Sequence, residues 1–161
     1  MNILLAIQDR TLIDELIVFL ERNPWADGAV FNVIHVVEPP YASYYLDLER
    51  HQKEHQLAGE LLQDTCVAIR KVHPSALVRT MVLEGEIKDE IVRAAKSMPA
   101  DLLIMGTHNR GWLGKTFLGS ISLGAQTSAP CSVLILRDKK QFHQESNAGK
   151  RERPPGSRVN H

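Results

Sequence analysis

The 161 residues carry no formal net charge at pH 7 and 43% of them are hydrophobic, so we expect one domain whose core forms without disulfide or metal support. The charge is unevenly spread, since residues 138–161 hold six basic and three acidic side chains whereas the preceding residues hold 13 basic and 16 acidic ones. The acidic body argues against nucleic-acid binding, which depends on neutralising phosphates, and the Pro- and Gly-interrupted basic end is predicted to be a disordered tail.

The chain begins with a five-residue apolar run, residues 3–7, followed closely by Asp9. This run is too short for the core of a signal peptide or for a membrane span, so we expect a cytoplasmic protein without membrane contact. The two cysteines, Cys66 and Cys131, form neither a zinc knuckle nor a C-x-x-C motif. They are predicted to be reduced, buried thiols.

Apolar patterning predicts strands that alternate with helices along the chain. The strands are predicted at residues 3–7, 30–37, 77–83, 102–105 and 132–136. The first helix is predicted to start with a cap formed by Thr11 and Asp14, to bury Leu12, Leu16, Phe19 and Leu20, and to end at Asn23. The second is predicted over 45–72, with Leu57, Leu61, Leu62, Cys66 and Ile69 on one face, and the third over 87–98, with Ile87, Ile91, Ala94 and Ala95 inward.

Strands joined by helix-length crossovers predict an α/β fold, a Rossmann-like parallel sheet with helices on both faces. Ligands of such sheets bind outside the carboxyl ends of the strands, where the strand order reverses.

The segment between the fourth strand and the next helix carries the most informative pattern. Four glycines lie between 106 and 119, and Ser120 and Ser122 follow where an apolar-periodic segment begins. Glycines let backbone N–H groups approach a ligand, and a helix N-terminus adds unpaired donors and the positive end of its dipole. The segment therefore predicts an anion site.

These residues resemble the universal stress protein family, whose nucleotide-binding members carry G-x-x-G, nine residues, then G-[ST]. Here Gly106, Thr107, His108 and Asn109 are followed by nine residues and then by Gly119 and Ser120. The phrases I-M-G-T-H, L-G-S and A-P-C-S-V-L-I, together with ILLAIQ, IHVVEP and VLEGEIKDEIV, extend the resemblance over residues 1–137.

The resemblance implies a five-stranded sheet of order 3-2-1-4-5 whose switch point lies between strands one and four. It also implies binding of ATP or a related adenine nucleotide, with or without Mg²⁺, and a homodimer formed through the strand 132–136 edge, which would otherwise leave backbone groups unpaired. The implied nucleotide-binding residues are Ala6, Ile7, Gln8, Val36, Met105, Gly106, His108, Asn109, Arg110, Gly119, Ser120, Ile121 and Ser122.

Two of these positions depart from the family pattern. Gln8 stands where the first strand usually ends in an aspartate, and it brings no carboxylate for a ribose diol. Asn109 replaces the second glycine, although Asn is the residue after glycine that best tolerates a left-handed backbone. A tight strand-to-helix connection without a ligand is the alternative interpretation of the loop.

Three other patterns resemble chemical sites. G-x-x-G-K-T over 111–116 lacks the first glycine of a P-loop, since Asn109 stands there. His51-x-x-Glu54-His55 matches an inverted zinc-protease signature but lies in a charged helix start, where a solvated face is the commoner outcome. His35 near Glu38 suggests acid–base chemistry or, more commonly, a hydrogen-bonded structural histidine.

No nucleophile–base pair emerges from the sequence, so turnover is unsupported. The first hypothesis is a nucleotide-binding stress protein that acts as a sensor or signalling module. The alternatives are a ligand-free dimeric interaction module of the same fold and a slow ATPase.

Overall fold

The computed structural model describes residues 1–23, 28–39, 47–106 and 120–137. Five strands alternate with four helices within these ranges, in the order β1 Asn2–Ala6, α1 Thr11–Glu21, β2 Val30–Val37, α2 Asp47–Val72, β3 Leu77–Glu84, α3 Ile87–Ser97, β4 Leu102–Gly106, α4 Ser120–Ser128 and β5 Ser132–Leu136. None of the helices in these ranges combines the length and the apolar character that crossing a membrane requires.

The five strands form one parallel sheet of order β3-β2-β1-β4-β5, which confirms the predicted order. β1 lies at the centre, where Ile3 pairs with Phe31 of β2 on one side and with Leu102 of β4 on the other. The strand order reverses between β1 and β4, and ligands of such sheets bind at the carboxyl ends of the strands at this point.

Both faces of the sheet are covered, as a parallel sheet requires. Successive residues of β1 point to opposite faces: Ile3 and Leu5 join a core cluster with α1 and α2, whereas Leu4 and Ala6 join a second cluster with α3 and α4. The prediction of helices on both faces is confirmed.

The predicted cap of the first helix is wrong. Thr11 is the first helical residue, and its backbone N–H donates to the Asp9 carboxylate at 2.9 Å, while Arg10 at the cap position makes no capping bond with its side chain. The acceptor therefore lies two residues before the helix. The sequence pattern placed the cap at Thr11, because Asp14 follows three residues later as the acidic residue of a capping box does.

The helix face predicted for α2 is buried at Leu61, Leu62, Cys66 and Ile69, whereas Leu57 on the same face is 52% exposed. The predicted burial of one cysteine needs correction. Cys131 is free and only partly buried, since it precedes the edge strand β5, whereas Cys66 is free and buried. Partial burial raises the pKa of the Cys131 thiol, which favours its protonated, unreactive form.

We expect the turn after β3 to depend on glycine. Gly85 has φ +150°, and a Cβ there would lie 2.6 Å from Oε1 of Glu90, a buried carboxylate paired with Arg93. Gly85→Ala should lower the free energy of unfolding by about 1–3 kcal/mol, through backbone strain and displacement of Glu90.

Gly59 supplies the matched control for that experiment. It is an exposed residue of α2 whose added Cβ would meet nothing within 4 Å. Gly59→Ala should raise stability by about 0.5–1 kcal/mol because alanine favours the helix. Urea unfolding of both variants checks the pair, and equal effects of the two substitutions would contradict the role of the turn.

Candidate functional site

A cleft of about 730 Å³ opens at the carboxyl edge of the sheet, between the ends of β1 and β2 and the first half of α2. Its described lining residues are Gln8, Asp9, Arg10, His35, Val36, Val37, Glu38, Pro39, Arg50, His51, Glu54, Leu57, Ala58, Leu61 and Ile87. The cleft combines apolar side chains from α2 with polar groups from the strand ends, a combination typical of sites for small organic ligands.

Gln8 and Asp9, directly after β1, have different roles. The Asp9 carboxylate is directed back to the start of α1, where it accepts from Thr11. Nε2 of Gln8 is enclosed and has no hydrogen-bond partner among the described residues. Gln8 therefore has an amide donor, in a residue of the cleft wall, that is unsatisfied within the described residues, and a buried donor without a partner is costly unless a ligand or water fills the place.

His35 lies in β2 and lines the cleft, and its Nδ1 is 2.8 Å from the carbonyl oxygen of Ile7. Only a protonated Nδ1 can donate to a carbonyl, so the neutral ring has Nε2 as an acceptor. Burial lowers the pKa of His35 below its usual value of 6.5; the bond to Ile7 opposes this shift and the neighbouring His55 adds to it. The hydrogen-bonded structural role predicted for this histidine is confirmed.

Both arginines among the described lining residues of the cleft are paired with carboxylates. Arg10 forms an ion pair with Asp64 of α2, and Nε of Arg50 donates to Oε1 of Glu54 at 2.9 Å. Each of these cations therefore has a carboxylate within ion-pair distance.

Three side chains form a cluster at the rim of the cleft, where α2 passes the end of β3. His51 Nε2 is 3.3 Å from Oε1 of Glu84, and His55 Nε2 is 3.7 Å from Oε2 of the same carboxylate. The two imidazole rings contact each other edge to face, with centroids 4.6 Å apart.

The structure brings two of the predicted nucleotide-binding residues, Gln8 and Val36, together in the cleft wall. Three others are buried in the core: Ile7 is completely enclosed, and Ala6 and Met105 are 3% exposed. These three shape the sheet beneath the site, and direct contact between them and a nucleotide stays a prediction.

The residues that flank the glycine-rich segment pack tightly against each other and against α1. A Cβ on Gly106 would lie 2.8 Å from Cδ2 of Leu12, so close packing accounts for a glycine here even without a ligand. The hydroxyl of Ser122 is buried and lies 3.4 Å from the Gly106 carbonyl, and Ile121 packs against the second core cluster. The predicted contacts of Gly106, Ile121 and Ser122 with a nucleotide stay predictions.

Several predicted residues lie outside the described ranges. They are His108, Asn109, Arg110 and Gly119, together with the P-loop-like residues of 111–116 and the tail 138–161. Ser120 is the first residue of α4, as predicted.

Sequence analysis missed the contribution of α2 to the cleft. Arg50, Glu54, Leu57 and Leu61 line it, and their spacing of three to four residues marks one helix face. That face changes from charged to apolar residues along α2, and this change could have indicated that the helix lines a site. We attributed its apolar part to the core and its charged part to solvent.

The family model described as the universal stress protein family matches residues 1–137. The chain belongs to the universal stress protein family. A universal stress protein from Thermus aquaticus is 33% identical to it over 119 residues, which cover 70% of this chain and 80% of that relative.

Solved universal stress protein structures share this fold. UspA from Lactobacillus plantarum superposes with a TM-score of 0.69 at 21% identity, over 84% of this chain and 97% of that one. A family protein from Arabidopsis thaliana, solved with AMP bound, superposes with a TM-score of 0.64 at 17% identity, over 88% of this chain and 94% of that one. At these identities the likeness establishes the fold of this universal stress protein.

The depressed pKa of His35 gives the stability of the protein a defined pH dependence. Above a pH of about 6.5 the ring is neutral in both states. As the pH falls below that value the unfolded chain binds the proton first, so the free energy of unfolding decreases until the pH passes below the folded pKa.

We therefore expect His35→Gln, which retains an N–H donor for Ile7, to lose less stability than the parent between about pH 7.5 and pH 5.5. Urea unfolding at a series of pH values measures both slopes. Parallel pH profiles for parent and variant would show that His35 does not contribute to the acid sensitivity.

Proposed function

We propose that this universal stress protein binds an adenine nucleotide, ATP or a close relative, in the cleft at the carboxyl edge of the sheet and acts as a stress-response sensor or signalling module. The observation that carries the proposal is the enclosed amide of Gln8 in the wall of that cleft, which has no hydrogen-bond partner among the described residues. Family membership and the AMP-bound Arabidopsis thaliana structure of similar fold support the choice of an adenine nucleotide.

The described chemistry of the cleft suits the nucleoside part of such a ligand. Leu57, Ala58 and Leu61 offer apolar surface to a base, while Gln8 offers a donor and His35 an acceptor at Nε2. An adenine edge and a ribose diol both contain donors and acceptors, so either can satisfy this pair. Gln8 stands where the family usually has an aspartate, so this position brings no carboxylate to a ribose diol. It is better suited to a neutral hydrogen-bonding partner.

The phosphates are proposed to lie on residues 106–109 and at the N-terminus of α4, which begins at Ser120. The first turn of a helix presents unpaired N–H groups and a partial positive charge. Neither cleft arginine has a free charge for this purpose, since Arg10 and Arg50 are both ion-paired. Backbone donors and Arg110 are therefore proposed as the main phosphate ligands.

The protein is proposed to bind the nucleotide without hydrolysing it. Of the described lining residues, His35 is the strongest candidate base, and its lowered pKa reflects a ring held neutral by burial. No serine, threonine or cysteine appears among the described residues that line the cleft. Slow ATP hydrolysis by a positioned water is the alternative, and steady turnover lost in Ser120→Ala would favour it.

Calorimetry with ATP, AMP and their magnesium complexes tests the proposal. Gly119→Val should abolish binding by blocking the approach of the backbone, and Ser120→Ala should weaken it by about 1–3 kcal/mol, the scale of a hydrogen bond to a charged group. Gln8→Leu should weaken binding about two- to tenfold, as expected for a neutral hydrogen bond. Asn109→Gly should preserve or tighten binding by restoring the family pattern.

Gly59→Ala lies on exposed α2 surface and is not one of the described residues that line the cleft, so it is the matched control and should leave the affinity unchanged. If the parent shows no binding at millimolar nucleotide, and binding appears only when Asn109→Gly and Gln8→Asp are combined, the two departures have abolished the site. That outcome would replace the nucleotide proposal with the ligand-free interaction module.

We also propose that the protein forms a homodimer through the β5 edge and that residues 1–137 form its domain, followed by a basic tail. β5 is an edge strand, and its apolar residues Val133 to Leu136 remain partly exposed, whereas Leu103 and Ile104 of the neighbouring β4 are completely buried. Pairing of two such edges about a two-fold axis satisfies their backbone groups and covers this apolar surface.

Light scattering at micromolar concentration should give the mass of a dimer. Val133→Pro removes a backbone N–H from the edge strand and should shift the mass towards the monomer. A monomeric parent, or a folded variant of unchanged mass, would argue against dimerisation through this edge.

A further inference from the structure

The cluster of His51, His55 and Glu84 has a composition that the proposed nucleotide function does not use. Two imidazoles one helical turn apart on α2 face a single carboxylate at the end of β3. Their ligand atoms all lie within 4.8 Å of one another. Two histidines and one carboxylate are the protein ligands of several zinc sites in which a fourth position is left for water.

The spacing of the donor atoms fits a single small cation. Donors placed about 2.0–2.2 Å from a tetrahedral zinc are separated from each other by about 3.4 Å. The observed separations are 3.3 Å for His51 Nε2 to Glu84 Oε1 and 3.7 Å for His55 Nε2 to Glu84 Oε2. The two separations between histidine and carboxylate are thus within a few tenths of an ångström of the expected value, and the separation between the two histidine donors is no more than 4.8 Å.

The environment also selects which nitrogen binds. Nδ1 of His51 is buried and has no hydrogen-bond partner among the described residues, so Nε2 is the nitrogen directed at Glu84. The side chain of His51 is 17% exposed, that of His55 36% and that of Glu84 50%. The cluster is thus largely enclosed at His51 and open to a hydrated ion from solvent at Glu84.

We propose that His51, His55 and Glu84 form a binding site for a divalent transition-metal ion of the zinc type, with water in the remaining position. Imidazole nitrogen with a carboxylate favours Zn²⁺ and its neighbours over Mg²⁺ and Ca²⁺, which prefer oxygen donors alone.

The site joins elements that are distant in the chain. The metal connects the N-terminal half of α2 to the last residue of β3, beside the cleft that His51 also lines. Glu54, the central carboxylate of the inverted zinc-protease signature, is bound by Arg50. The site therefore acts as a clamp between helix and sheet, and the geometry gives no support to a protease.

Zinc titration of the full chain, stripped of metal with a chelator, tests the site. Calorimetry should show one Zn²⁺ per chain, and zinc should raise the melting temperature of the parent because it binds the folded state alone. Glu84→Gln and His55→Gln should each weaken binding at least about 100-fold, more than the loss of an outer-shell partner. The zinc-dependent rise in melting temperature should disappear in both variants.

Glu54→Gln is the matched control, because it removes a carboxylate from the same turn of α2 without touching the cluster. It should leave zinc affinity unchanged. Full zinc affinity in both Glu84→Gln and His55→Gln, or an equal loss in Glu54→Gln, would overturn the proposal.

X-ray absorption of the zinc-loaded parent tests the site without any substitution, so misfolding of a variant cannot affect the result. It should show a first shell of nitrogen and oxygen with the scattering of two imidazoles. A sulfur shell, which would indicate Cys66 or Cys131, or the absence of imidazole scattering, would place the ion elsewhere and reject this site. Failure of nucleotide binding would leave the expected result unchanged, since none of these readouts involves a nucleotide.

Discussion

The burial of β1 on both faces is the constraint on which the rest of this structure depends. Ile3, Leu4 and Leu5 are completely enclosed, and the strand is hydrogen-bonded to a parallel neighbour on each side. A parallel sheet of this kind needs a crossover between successive strands, and the crossovers supply the helices that cover both faces. All strands consequently end at one edge, which brings together polar groups that are distant in sequence.

Much of the fold could be predicted from the sequence because the signals are local and strong. The runs that became β2 and β5 were predicted with the observed bounds, and the continuous apolar character of β1 and β4 indicated burial on both faces. The cap of α1 was not predictable in this way, since Asp9 and Asp14 both offer a carboxylate near Thr11 and only the backbone geometry selects Asp9. The exposure of Leu57 was not predictable, because periodicity gives the face of a helix but not how far that face is buried along its length.

The candidate site was predictable at the strand ends and unpredictable along α2. Gln8 could be placed at the carboxyl edge from topology alone, because it directly follows the central strand. The approach of His51 and His55 to Glu84 depends on the crossing of α2 over β3, which no pattern in the sequence specifies. The spacing of four residues predicted that the two histidines share one face of the helix. Only the tertiary structure shows that the Glu84 carboxylate contacts both of them.

The ion pairs Arg10–Asp64 and Arg50–Glu54 have a consequence for how an anion would reach the cleft. Paired charges of opposite sign cancel beyond a short distance, so these arginines do not extend an attractive field into solvent. Together with the acidic body of the chain, this leaves little electrostatic steering of a phosphate-bearing molecule from this wall. Discrimination among such molecules would therefore arise at short range, from shape and hydrogen bonding after arrival.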